Sequence, residues 1–410
     1  MATILQENRN LDHSATKHIF CVFPSLLRYL VEAKSIFFIL SATMPTEEIF
    51  AQSPPFPEDV PIADIPVISY KGLLSNSSDE SEKLFNACRE HGFFLLNLHD
   101  SEEGEALLKD AESMFKISNA TFDLGQDELM KYVCNPPRDL RGKAETDFEL
   151  KYKQPGTLKT ENGKFDAIEV YTLNQDDARG FEPNPHADPP PFVENKVSLQ
   201  SFFHHAHSSI CTVFSHLDTH LGLPPGTLAS TCPFDKRSAT ALRILLTRPQ
   251  PIVDHRVAFA GHTDVGLITM LFNIVGGLQI LPAGAENKNE NWLYIKPQSG
   301  CALINLADTL MERTGVVLCS ALHRVITPPG EQGKHVRRSL AYLVRCENAG
   351  SMKRFEGSGI PPLGEGESDQ SKSVQEWAEW RIRQIMNGEV KPQTMGGKSF
   401  GGKTAPGVEA

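Results

Sequence analysis

The hexapeptide Gly261-His262-Thr263-Asp264-Val265-Gly266 sets an imidazole and a carboxylate two residues apart. Residues i and i+2 of an extended strand point to the same face. His262 and Asp264 are therefore expected to offer both groups from one edge of a β wall. A second imidazole would complete a face of two histidines and one carboxylate, which leaves positions open on a metal and suits non-heme Fe(II). His323, within Ser320-Ala321-Leu322-His323-Arg324-Val325, begins another apolar strand and is the expected third ligand. A His-x-Asp triplet is common, and the chain contains a control. His186-Ala187-Asp188 has the same spacing but runs straight into Pro189-Pro190-Pro191. Three prolines remove ladder donors and exclude a central strand, so that pair is expected in a loop and not on a metal. His204, His207, His216 and His220 recur at helical spacing; they lie largely off the apolar stripe and read as a solvated polar face.

Arg337-Arg338-Ser339 follows His323 along the chain. Alternation puts Arg337 and Ser339 on one face and turns Arg338 away. A planar guanidinium fork beside a hydroxyl is suited to a carboxylate; the tripeptide alone fits a surface arginine pair equally well. The turn Thr327-Pro328-Pro329-Gly330-Glu331-Gln332-Gly333 is expected to fold this strand back beside His323. Metal and clamp would then face one interior.

The elements that must carry these groups can be read from periodicity. Strands are expected at 65–68 and 93–96, with a helix over 81–91 that ends at Gly92. Residues 101–133 read as helix and 134–195 as loops around one strand at 167–173. Leu199, Phe203, Ala206, Ile210, Val213, Leu217 and Leu221 mark a long helix that Gly222 stops. Short strands then follow at 241–246, 266–272, 277–281, 292–296, 301–305, 323–326 and 339–344, at the spacing of a sandwich or barrel. The expectation is a β core in the second half, buttressed by helices from the first. A short helix at 374–386 precedes a Gly/Lys-rich tail at 387–410.

Composition narrows the function classes. The 410 residues carry 40 Lys+Arg against 51 Asp+Glu, a net charge of −11, with no basic run. Nucleic-acid binding rests on a basic face and released counterions, so nucleic acid is not an expected partner. Apolar stretches near the N-terminus are interrupted by Pro24, Arg28, Glu32 and Lys34, well short of the roughly 20 apolar residues of a spanning helix. No membrane partner is expected, and residues 1–43 read as an extension outside the fold, without fixed structure. Eight scattered cysteines without a CxxC pair give neither a disulfide framework nor a thiolate zinc site, which points to the reducing cytoplasm.

Taken together, these segments resemble the iron(II)- and 2-oxoglutarate-dependent dioxygenases of the isopenicillin N synthase-like group. Asp64-Ile65-Pro66-Val67-Ile68, the run from Ala87 to Phe94, Gly276 to Ile280 and Asn305-Leu306-Ala307-Asp308 keep that family's order, together with His262 to Leu271, His323 to Val325 and Arg337 to Ser339. The likeness covers residues 64–347. It implies a mainly β fold, a double-stranded β-helix (jelly-roll) core with supporting helices. It also implies Fe(II) on His262, Asp264 and His323, and 2-oxoglutarate held by Arg337 and Ser339. O2 is the further cosubstrate, and ascorbate is expected to help in vitro. The implied activity is hydroxylation or desaturation of a small, apolar secondary metabolite with release of succinate and CO2, with no obligate protein partner. The implied layout is an N-terminal helical and strand region at 44–195, the jelly-roll core at 196–347, a C-terminal helical segment at 348–386 and a flexible tail. Residues 134–195 and 347–386 are the expected lid.

One departure matters. Where the family usually has a tyrosine that contacts the cosubstrate, this chain reads Leu245-Leu246-Thr247-Arg248-Pro249. Ala307 also stands where glycine is usual. The missing tyrosine keeps open an Fe(II) oxidase that clamps its substrate's own carboxylate and uses no 2-oxoglutarate. A catalytically silent binding protein is the more distant alternative.

Overall fold

Alternation along Arg337–Val344 decides how the molecule is layered. Leu340, Tyr342 and Val344 turn one way and are buried, while Arg337, Ser339, Ala341 and Leu343 turn the other way and line a cavity. The computed structural model describes residues 53–133, 151–157, 165–181, 187–250, 257–365, 367–386 and 396. The expectations for residues 1–43, for His186 and for nearly all of the tail fall outside these.

Among the described residues the strands are β1 (Val67–Ser69), β2 (Phe93–Asn97), β3 (Tyr152–Lys153), β4 (Ile168–Asn174), β5 (Ala241–Thr247), β6 (Val257–His262), β7 (Ile268–Asn273), β8 (Leu278–Ile280), β9 (Leu293–Tyr294), β10 (Cys301–Leu306), β11 (His323–Ile326) and β12 (Arg337–Val344). They form a large sheet, β1-β2-β10-β7-β12-β5-β4-β3, and a small one, β6-β11-β8-β9. Only the β1/β2 pair is parallel among these ladders. This is the expected jelly-roll arrangement with one correction. Strands from the first half complete both edges of the large sheet, so the β core is not confined to the second half.

The outer face of the large sheet is covered by α1 (Ser78–Glu90), α2 (Glu102–Phe122) and α3 (Lys196–Leu221); α4 (Asp308–Arg313) and α5 (Val374–Met386) follow later in the chain. Ser101 Oγ accepts from Gly104 N at 3.2 Å, and Glu102, Glu103 and Glu105 complement the helix dipole at the start of α2. The expected helix over 101–133 breaks at Gly125, whose φ of +83° a helix cannot hold. α3 ends at Gly222 with φ +64°, where a Cβ would stand 2.8 Å from Ser358 N; no larger residue fits. Phe202 and Phe203 of α3 are fully buried and pack on Tyr342 at ring-centroid distances of 6.1 and 5.7 Å. Each such ring contributes about 1.5–3 kcal/mol by burial. The helical layer thereby pins the back of β12, and alternation aims Arg337 and Ser339 at the cavity.

Three further expectations need correction. The tract Pro189-Pro190-Pro191 is not loop: Pro189 caps a short helix at Pro190–Glu194, because proline suits a first helical turn. The α3 histidines are not a solvated face either. His216 is 7% exposed, with Nδ1 at 2.9 Å from Ser81 Oγ and Nε2 at 3.0 Å from Leu73 O. His220 stacks on Phe85, and burial pushes His207 down to about 4; only His204 among the four is exposed. Finally, no described residue of 347–386 lines the cavity, so that half of the expected lid does not face it.

Candidate metal centre and its cavity

β6 ends at His262 and β11 begins at His323, and their antiparallel register sets these two residues directly opposite each other. The imidazole centroids lie 4.3 Å apart. Asp264 does not share the strand with His262, as the i, i+2 reading expected. β6 stops at His262, and the carboxylate comes from the turn that leads to β7. The three groups still converge: Asp264 Oδ1 lies 3.7 Å from His262 Nε2 and 3.9 Å from His323 Nε2.

The remaining polar atoms of each group are occupied. His262 Nδ1 lies 2.9 Å from Ala260 O, and His323 Nδ1 lies 3.2 Å from Ala321 O. A carbonyl oxygen only accepts, which assigns the proton to Nδ1 in both rings and leaves both Nε2 lone pairs for a metal. Asp264 Oδ2 accepts from Thr269 Oγ1 at 2.7 Å and Asn305 Nδ2 at 2.8 Å, which leaves Oδ1 toward the imidazoles. Burial, helped by repulsion from His323, pushes His262 down to about 4, so the ring is neutral at physiological pH, as ligation requires. Burial by itself would raise the Asp264 carboxyl. The two imidazoles and the bonds from Asn305 and Thr269 outweigh it and hold that group below the usual carboxylate range. Two neutral nitrogens and one anionic oxygen on one side of a common point fit a divalent iron with open positions.

Arg337 reaches the same cavity from the opposite sheet. The turn at 327–333 does not fold β12 back beside β11, as expected; it carries the chain across to pair with β5 and β7. Arg337 Nε donates to Gly276 O at 2.8 Å and Nη1 donates to Ser339 Oγ at 3.1 Å, with both residues at most 2% exposed. Burial lowers the guanidinium to about 10, so it stays charged at neutral pH. Directly across on β5 stands Thr247, 4% exposed, whose Oγ1 has no hydrogen-bond partner among the described residues. The sequence reading passed over this residue. Thr247 pairs with Arg337 as Leu245 pairs with Ser339, so parity turns it the same way as Leu245, although Thr247 itself is not among the residues that line the cavity.

The cavity among the described residues is about 240 Å³ and partly open, with the His-Asp-His face on one side and Arg337 with Ser339 on the other. Its walls are mostly apolar, among them Ile168, Val170, Leu245, Leu271 and Val325. Two cationic residues also line it. Lys153 is paired with Asp166 and donates to Ile168 O at 2.8 Å. Arg243, on β5 between Thr172 and Ala341, lies close enough for its charge to lower the His262 pKa. In the control triplet, Asp188 is taken by Lys151 Nζ at 2.8 Å and Tyr171 OH at 2.9 Å. Among the described residues, His262, Asp264 and His323 are the group assembled for a metal. No helix there is long and apolar enough to cross a membrane.

Comparison with known proteins agrees with this geometry. The model for the non-haem dioxygenase N-terminal region (in morphine synthesis) matches residues 65–195, and that for the 2OG-Fe(II) oxygenase superfamily matches 238–345. A 2-oxoglutarate-dependent dioxygenase of Amanita muscaria is 31% identical over 170 residues, 41% of this chain and 81% of the relative. One from Glarea lozoyensis is 29% identical over 293 residues, 71% of this chain and 82% of the relative. Among solved structures, a full-length Neurospora crassa protein in complex with alpha-KG and 5-formyluracil superposes with a TM-score of 0.62 at 20% identity, covering 80% of this chain and 99% of that one. Both regions thus match in order, and the chain belongs to the 2-oxoglutarate/Fe(II)-dependent oxygenase family, in its isopenicillin N synthase-like form.

Proposed function

We propose that the protein uses Fe(II), 2-oxoglutarate and O2 to hydroxylate or desaturate a small, largely apolar metabolite, releasing succinate and CO2. The observation that carries this reading is one cavity with a face of His262, Asp264 and His323 at one wall and the buried Arg337 at the other. Iron held by those three residues would supply the oxidation of an unactivated C–H bond, coupled to decarboxylation of the 2-oxo acid. The chain's own residues do the rest. Ala260 and Ala321 carbonyls fix both imidazole tautomers, and Thr269 and Asn305 orient the Asp264 carboxylate. Arg337 and Ser339 bind the distal carboxylate of 2-oxoglutarate, and Thr247 takes the contact that the missing tyrosine would make. The apolar walls exclude water, while Arg243 offers the substrate one polar anchor. A cytosolic setting belongs to this reading, supported by the free thiols at Cys88, Cys211, Cys232, Cys301, Cys319 and Cys346.

The oxidase that uses no 2-oxoglutarate is disfavoured by relatives that carry 2-oxoglutarate dependence in their names. The silent binding protein is disfavoured by the intact ligand set. Purified protein with Fe(II), ascorbate and 2-oxoglutarate, screened against a metabolite panel, is expected to release one succinate per product. Product formed without succinate would overturn the reading in favour of the oxidase.

Thr247→Val tests the third contact, since valine keeps the shape and removes the hydroxyl. A lost hydrogen bond to a charged group costs about 1.5–3 kcal/mol. The KM for 2-oxoglutarate should therefore rise on the order of tenfold or more, with Fe(II) affinity unchanged. An unchanged KM would remove Thr247 from the clamp.

A further inference from the structure

Asp308 opens α4, is 1% exposed, and is hydrogen-bonded at both oxygens. Oδ1 accepts from Ser320 Oγ at 2.8 Å, and Oδ2 accepts from Thr263 Oγ1 at 3.0 Å and from Arg381 Nη2 at 2.9 Å. Its backbone N–H donates to Asp264 O at 2.9 Å. Thr263 lies between His262 and Asp264, and Ser320 lies three residues before His323. One carboxylate therefore ties the turn that carries two of the converging side chains to the segment that delivers the third. Its countercharge comes from far along the chain. Arg381 sits on α5, 3% exposed, beyond residue 345 where the match to the oxygenase superfamily ends.

We infer that Arg381 is a positioning residue for the metal face: the C-terminal helix neutralises Asp308, and Asp308 in turn holds the His262–Asp264 turn in register with His323. The inference rests on the metal site proposed above. Asp308 is stripped of water by burial, and the ion pair with Arg381 compensates that loss. With the guanidinium removed, a buried carboxylate is left without its cation, and breaking one half of a buried pair is costly. The uncompensated charge then draws in water. That water competes with the Thr263 and Ser320 hydroxyls for the carboxylate oxygens and pushes the segments apart. The ligand turn is then free to drift by the fraction of an ångström that metal geometry does not tolerate. Removing both charges together avoids this, because an asparagine at 308 still accepts from one hydroxyl and leaves no lone charge.

The test is anaerobic Fe(II) titration of the full-length apoprotein, read alongside thermal unfolding and turnover. Arg381→Met, which keeps an unbranched apolar stem and loses the charge, is expected to raise the Fe(II) Kd at least tenfold with the helical signal retained. Arg381→Lys should stay within a few-fold of wild type. The double variant Asp308→Asn/Arg381→Met should recover most of the affinity lost by Arg381→Met alone. If Arg381→Met fails to fold, the double variant is compared with wild type directly: a folded double variant within a few-fold of the wild-type Fe(II) Kd supports the inference, and one more than tenfold weaker overturns it. Wild-type Fe(II) affinity in Arg381→Met, or a double variant as weak as the single one, would overturn the inference and leave α5 a packing element. A wild-type protein that binds no Fe(II) would instead overturn the site itself, and this inference with it.

Discussion

Asp264→Ala is expected to abolish turnover and to weaken Fe(II) binding by about 100-fold or more, since losing even a supporting partner of a ligand costs 10–100-fold. The carboxylate is the one anion of the ligand set, and the two neutral imidazoles that remain make a poor, undercharged face. The substitution also strands the Thr269 hydroxyl and the Asn305 amide, which donate to Asp264 Oδ2 at 2.7 and 2.8 Å. Buried donors without acceptors are costly, so the turn behind His262 is expected to loosen as well. Anaerobic iron titration and a succinate assay check both halves. Wild-type turnover in the variant would refute the triad.

The second large effect is expected at the clamp. Arg337→Lys keeps the charge but replaces a planar fork with a point donor. The fork is already oriented by Gly276 O at 2.8 Å and Ser339 Oγ at 3.1 Å, geometry that an ammonium cannot reproduce. Truncating one partner of a buried, hydrogen-bonded charge pair costs about 2–5 kcal/mol, and lysine recovers part of that. The KM for 2-oxoglutarate should rise on the order of tenfold or more, about 1.4 kcal/mol, while Fe(II) affinity holds. An unaltered KM for 2-oxoglutarate with a raised KM for the organic substrate would mean that the clamp grips the substrate, and the oxidase reading would win.

The convergence of His262, Asp264 and His323 was legible because their chemistry is local. An imidazole and a carboxylate two apart, and an imidazole opening an apolar run, need no knowledge of the fold. What escaped was set by distant partners. The strand expected to carry both His262 and Asp264 ends at His262, and Asp264 proved to lie in the turn beyond it. β12 crosses to the large sheet because β5 and β7 leave an unpaired slot there, which no local pattern reveals. His216 falls off the apolar stripe of α3 yet is buried, because α1 and Leu73 cover that side of the helix. Asp308 was noticed only as part of a motif. Its role depends on Thr263, Ser320 and Arg381, which meet only in the folded chain.

The crossing of the chain from β11 in one sheet to β12 in the other makes the sandwich a ruler. His323 heads β11 in the small sheet and Arg337 heads β12 in the large one, so on the proposed reading the gap between an iron at His323 and the guanidinium would follow the spacing of facing sheets, about 10 Å. Backbone geometry would then set the length of 2-oxo acid that fits, with the Arg337 side chain as its far end. A homologue one methylene shorter or longer would miss one end of the gauge. Other residues that line the cavity, such as Val170 and Arg243 on β4 and β5, lie outside that measurement. On the proposed reading they could change, and with them the metabolite, without resetting the cosubstrate.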